Sequence, residues 1–180
     1  MPGPSITQSQ VQVSLRALLV AILPANWEVV QGQDSRVSEP AGNFVIMTSI
    51  SRTRLETNGY SYAPPPAGQM IPGTLTTTQP MQVTFQLDFH SANPFDASDA
   101  AVVVSTLFRS DIAVDALAQL GTPISPLYAD DPKQIPFLNA EQQYETRWVL
   151  DAVLQVNAGV VYGQDFMSGA PAIGINPPAG

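Results

Sequence analysis

Two stretches of strict alternation constrain this chain more than any other feature. In residues 81–90, Met81, Val83, Phe85, Leu87 and Phe89 alternate with Gln82, Thr84, Gln86, Asp88 and His90. In residues 144–156, Tyr144, Thr146, Trp148, Leu150, Ala152, Leu154 and Val156 alternate with Glu145, Arg147, Val149, Asp151, Val153 and Gln155. A period of two puts one apolar and one more polar row on opposite faces of a strand. Two strands this long form the middle of a sheet with one face to cover. The rest of the chain must supply the cover.

Helices are the natural cover. Thr7 and Gln10 have the spacing of a capping box, and Val11, Leu15, Leu18, Leu19 and Ile22 recur at three and four until Pro24 stops the run. A second helical segment runs to Arg109, capped by Asp96 or Ser98. Its apolar members are Val103, Val104, Leu107 and Phe108, and its run of valines needs tertiary packing to hold it. A third segment carries Val114, Leu117 and Leu120 and closes at Gly121. Shorter extended segments fall at 27–31 and 43–56, with 49–56 polar enough for an edge or an exposed extension. Residues 124–129 pair briefly, and 159–166 return as a neighbour of the long strand.

The order is helix, strand, strand, long loop, strand, helices, strand, strand. It predicts an α+β fold: one two-layer domain over residues 1–180, with a mostly antiparallel sheet and helices on one face. Three extensions leave the body. They are an N-terminal arm at about 1–6, a long excursion at about 59–80 holding Pro64, Pro65 and Pro66, and a Gly/Pro tail at about 168–180. We expect the excursion to be a hairpin arm projecting from the body.

Composition narrows the function. Charged residues make up 12%, about half of the usual fraction, and the net charge is −8. A surface this poor in charge suits a subunit covered by partners. The seven basic residues are scattered, with Arg52 and Arg54 the one close pair, so no cationic tract for nucleic acid exists. There are no cysteines, which excludes disulfides and thiolate chemistry. The longest apolar run, residues 17–24, is too short to span a bilayer, and residues 1–12 lack a signal-peptide pattern. The expected product is a soluble protein made in the cytoplasm.

Candidate chemistry is thin. His90, the single histidine, shares a strand face with Asp88, yet a metal site needs three or four protein ligands. We expect a solvated or interface histidine, with a small Asp/His hydrolase as a weak third reading. Asp130 and Asp131 precede Pro132 and read as a turn, without the glycine and spaced donors of a calcium loop. No phosphate loop, nucleophile elbow or zinc-binding helix motif occurs. Glu145, Arg147 and Asp151 share a face of the long strand, which points to a solvated sheet or cross-strand pairing more than to a binding site, and in a ring the same face could meet the neighbouring subunit. No catalytic, cofactor or metal residue is assigned, and the chain reads as a non-enzyme.

Several segments carry a resemblance. Residues 40–48 (PAGNFVIMT), 51–58 (SRTRLETN), 81–90 with Asp88, 105–109 (STLFR), 126–132 (PLYADDP) and 141–148 (EQQYETRW) resemble the neck-terminator and tail-terminator proteins of tailed phages, the head–tail connector components. The likeness covers roughly residues 11–157 and includes no catalytic signature.

The resemblance implies a structural virion protein at the neck/tail junction. It would form a homo-oligomer, a hexameric ring that caps the tail tube and joins it to the neck proteins under the portal. Neck or connector proteins would lie above and tail tube or sheath proteins below. Genomic DNA would pass the channel without specific binding, and no membrane is involved. An acidic ring suits that passage, because like charge keeps a polyanion sliding. Contacts are expected at Arg52, Arg54, Pro64, Pro65, Pro66, Asp130, Asp131, Glu145 and Arg147. The alternative is a host- or carbohydrate-binding virion module that stacks sugars on Tyr60, Tyr62, Trp27 or Trp148.

Overall fold

The computed structural model describes residues 3–32, 40–67, 71–138 and 144–164. The chain runs α1 (Gln8–Ile22), β1 (Trp27–Gln31), β2 (Asn43–Arg54), β3 (Gly59–Ala63) and β4 (Gly73–Ser91). It continues α2 (Pro94–Leu107), α3 (Asp111–Gln119), β5 (Ile124–Ala129), β6 (Lys133–Leu138) and β7 (Tyr144–Gln164). The strands form one seven-stranded sheet in the order β1-β2-β4-β7-β5, with β3 beside β4 and β6 beside β7. Every pairing is antiparallel except β1 with β2. The fold is α+β with a mostly antiparallel sheet, as the alternation requires.

β4 and β7 are the spine. They stay in unbroken register from Gly73↔Gln164 to Ser91↔Thr146. On the side covered by helices, Val83, Phe85, Leu87 and Phe89 are fully buried against Leu150, Ala152, Leu154 and Val156. From α1, Val11, Leu15, Leu18 and Leu19 enter the same core, as their spacing demands. From α2 come Ala97, Ala100, Ala101 and Val104, and from α3 come Ala113 and Leu117. Of the three consecutive valines, only Val104 is buried; small alanines let this helix lie close to β7 and β4.

The local signals behave as chemistry predicts at most helix ends. Thr7 and Gln10 make the reciprocal capping box. Gly121 follows α3 with φ of 64°, a left-handed conformation that glycine adopts without a Cβ clash. The cap of α2 is a correction. Neither Asp96 nor Ser98 starts it; Asn93 does, its Oδ1 accepting from the Phe95 amide at 3.2 Å, with Pro94 at the first helical position. Asp96 supports that cap by accepting from Asn93 Nδ2 at 2.9 Å.

One extended region differs from expectation. Residues 159–164 do not return as a separate neighbour: β7 itself runs on to Gln164. The excursion at 59–80 is a hairpin arm built largely of strand, with β3 at 59–63 pairing antiparallel with the start of β4 at Gly73. Alternation fails to mark these parts because Gly, Ser and Thr occur on both faces, and such small or polar side chains carry no period of two. β3 lies on the same side of β4 as β2 and continues its direction, with Leu55 N donating to Pro80 O at 3.1 Å between them. The three strands β3, β4 and β7 thus leave the helix-covered body as a wing. Its eight register pairs from Gly73 to Pro80 span about 25 Å at the usual strand rise.

The N-terminal arm is docked along the wing. Ser5 N donates to Gly159 O at 2.7 Å, Gly159 N donates to Ser5 Oγ at 2.8 Å, and Ile6 is buried. The expected tail at 168–180 lies outside the described residues.

Candidate functional site

Three surfaces hold the expected contact residues. The first is the sheet face opposite the helices. There β4 turns Gln86, Asp88 and His90 toward Arg147, Val149 and Asp151 of β7, because directly paired residues share a face. Arg147 donates from Nε to Asp88 Oδ1 at 2.9 Å and from Nη2 to the same atom at 2.5 Å. Both Asp88 oxygens also accept from Gln86 Nε2 at 2.9 Å. His90 lies flat on Phe44, with ring centroids 4.8 Å apart and planes 3° from parallel.

This corrects the expected solvated face. Asp88 is 5% exposed and His90 is 6% exposed. The pair is committed to Arg147 and Phe44, and the Asp88 carboxylate is occupied by its cationic and amide partners. An Asp/His hydrolytic dyad draws no support from this arrangement. Among the described residues, no group of three His, Asp or Glu side chains is placed to hold a metal ion.

Beside this pair lies a shallow pocket of 180 Å³ whose lining includes Gln86, Asp130, Asp131, Lys133 and Asp151. The β5–β6 turn brings Asp130 in, its amide donating to Asp151 O at 2.9 Å. Burial pushes the Asp151 carboxyl up from its ordinary value, the Asp130 and Asp88 charges add to this, and Lys133 opposes it. Register thus joins Asp130 and Asp131 to Arg147's strand, which sequence spacing alone does not reveal. The Glu145 side chain lies outside the described residues, although its backbone pairs with Phe137.

The second surface is the root of the wing. A register shift between Ser49 and Ser51 puts Arg52 opposite Val83 and Arg54 opposite Met81, on the helix side of the sheet. Arg52 donates to the Gln8 side chain at the start of α1. Arg54 lies against the Gln79 amide, oriented so that its oxygen accepts from the guanidinium. Among the described residues the single ion pair is Arg147–Asp88, so both arginines keep their charge uncompensated.

The third surface is the wing itself. Pro64, Pro65 and Pro66 follow β3 at the tip; Pro65 is half-buried and the other two are exposed. Sequence reasoning missed the feature next to them. Tyr62, Leu75 and Tyr162 stand in one row across the three strands, and Tyr60, Thr77 and Val160 stand in the next. Gly73 lies beneath Tyr62: a Cβ there would sit 2.5 Å from the tyrosine hydroxyl. The Tyr60-Ser61-Tyr62 alternation was a local signal for this row, but only register brings in Tyr162. The indoles named as sugar platforms are committed elsewhere: Trp27 packs edge-on against Phe89 with centroids 5.9 Å apart, and Trp148 packs against the core.

A family model described as phage neck terminator protein matches residues 9–177. Curated proteins give no match. Among solved structures, one similar chain comes from a cryo-EM structure of an extracellular contractile injection system, the PVC sheath/tube terminator in its extended state. Identity is 13% and the TM-score 0.44. The alignment covers 97% of this chain and 64% of that one, so the chain spans less than two thirds of that relative's length.

Proposed function

We propose, of a chain that belongs to the phage neck terminator family, that six copies close into a ring at the head–tail junction. The ring caps the tail tube and joins it to the neck under the portal, leaving a channel for DNA. The observation that carries this reading is the family match over residues 9–177, which leaves out little more than the docked arm and the last residues. The whole chain acts as one such unit, synthesised in the host cell and incorporated into the virion.

Physical features support the reading. A ring of identical subunits needs a heterologous contact, in which one patch meets a different patch on the next copy. This chain has low charge, a projecting wing and a separate exposed helical layer, so the two patches can differ. At −8 per chain, six copies carry about −48, and a channel within such a ring repels a polyanion instead of gripping it. The Asp130, Asp131 and Asp151 cluster and the Arg147 face are then candidates for contacts to the tube or neck proteins. The role assigned is structural, and no catalytic residue is invoked.

The test is light scattering behind size exclusion over a concentration series, with negative-stain images of the largest species. Six times 19.2 kDa, about 115 kDa, seen as a ring with a central hole, is the expected result. A chain that stays monomeric in solution and fails to bind purified tail tubes overturns the proposal.

A further inference from the structure

We infer that the wing of one copy docks on the outer stripe of helix α2 of a second copy. This rests on the ring reading, and it names the two faces that meet. The wing carries no charge of its own. No charged residue occurs from Thr57 to Leu87, or from Ala152 to Gln164. Its helix-side face presents Tyr60, Tyr62 and Tyr162, which are 69%, 45% and 41% exposed. Tyrosines with few rotatable bonds, on a surface without charge, have the composition of an interface centre. On the same side, at the root, stand Arg52 and Arg54, neither in an ion pair among the described residues. Glu56, in the break between β2 and β3, is the one acid next to them among the described residues of these strands, so the two arginines outweigh it.

The outer stripe of α2 is the complement in shape and sign. Phe95, Asp99, Val102 and Val103 follow one another at helical spacing on the side away from the core. Phe95 is 74% exposed and Val102 is 50% exposed, large values for apolar side chains on a regular helix. α2 has no basic residue, and Asp96 and Asp99 give it two acids. The nearby Arg109 is exposed and donates from Nε to Ala129 O at 3.0 Å, beyond the end of the helix. Within α2 itself the apolar, acidic stripe has no cation to balance it. Most of the surface of a chain at −8 would repel a second copy, and the arginine root of the wing is a place where it would not.

The contact is heterologous. Wing-to-helix docking leaves a free stripe on the first copy and a free wing on the second, so it propagates until the ring closes.

The chain has no cysteine, so introduced thiols report one pair of positions each. Chains carrying Tyr62→Cys are mixed with chains carrying Val102→Cys under mild oxidation. A disulfide between the two chains is expected, and Tyr62→Cys mixed with Ser125→Cys on β5 serves as the negative control. In parallel, Arg54→Glu is expected to weaken self-association at least about tenfold by light scattering, and Asp99→Arg in the same chain to restore it. Circular dichroism confirms that each variant is folded. An oligomer that persists in Arg54→Glu, with no Tyr62–Val102 bond, overturns the wing contact and leaves the ring standing. A wild-type chain that does not associate, together with cysteine variants that do not cross-link, overturns both.

Discussion

Arg147 on β7 holds both of its bonded nitrogens on a single oxygen of Asp88, across the central strand pair and two residues along from its directly paired His90. Asp88 is almost fully buried, while Arg147 keeps a quarter of its side chain in solvent. The cost of breaking such a pair falls mainly on the partner left behind, here a desolvated carboxylate. Arg147→Ala is therefore expected to destabilise the fold by about 2–4 kcal/mol, and Asp88→Asn by less, because the neutral amide tolerates burial. Urea denaturation of the two single variants and the double variant checks this. A double variant no worse than Arg147→Ala alone is the expected coupling.

Asp151 predicts a pH dependence of known sign. Its carboxyl is raised by burial and by Asp130, so folding favours the protonated form. A carboxyl raised in the folded state supports stability below its unfolded value, and that support is lost as pH rises through the folded value. Asp151→Asn removes the loss. The variant should melt higher than the parent at pH 7 and show no such gain at pH 3, in thermal scans followed by circular dichroism.

The alternation at 81–90 and 144–156 was enough to place the sheet's spine, since each buried position recurs every second residue. It could not place the strand ends. β4 begins at Gly73 and β7 ends at Gln164, in stretches where Thr, Gly and Gln occur on both faces and the period vanishes. The charged face was misjudged for a related reason. Asp88 and His90 look solvated in sequence because their partners, Arg147 and Phe44, lie on strands 59 and 46 residues away in the chain. Pairing register is a property of the fold and not of any one segment. The row of Tyr62 and Tyr162 was hidden the same way.

Trp148 separates core from edge. It packs against the buried cluster but is not itself fully buried, whereas Phe85 is. Trp148→Ala is expected to cost about 2–3 kcal/mol and Phe85→Ala about 3–5 kcal/mol in denaturant titrations. Equal losses would mean that the indole is more tightly enclosed than its exposure indicates.

Gly73→Ala tests the wing without touching the body. The new methyl meets the end of Tyr62, a side chain that can swing away, so global stability should change by less than about 1 kcal/mol. The tyrosine row is displaced in the process. Self-association should weaken while the melting curve stays nearly unchanged, and a large drop in melting temperature would show that the wing is coupled to the core.

Because β7 supplies one strand of the wing and is the last element among the described residues, the wing cannot be complete until synthesis has passed residue 164. A chain emerging from the ribosome presents α1, β2, β3 and β4 well before residues 157–164 are available to pair with Gly73–Pro80. Until then β4 has an open edge, and the tyrosine row lacks Tyr162. Non-local pairing of this kind forms late. Translation order thus acts as a checkpoint: a copy completes its protruding strands only after the polypeptide is long enough to finish the sheet, and on the proposed wing contact a product cut short before residue 157 would lack the strand needed to join another copy.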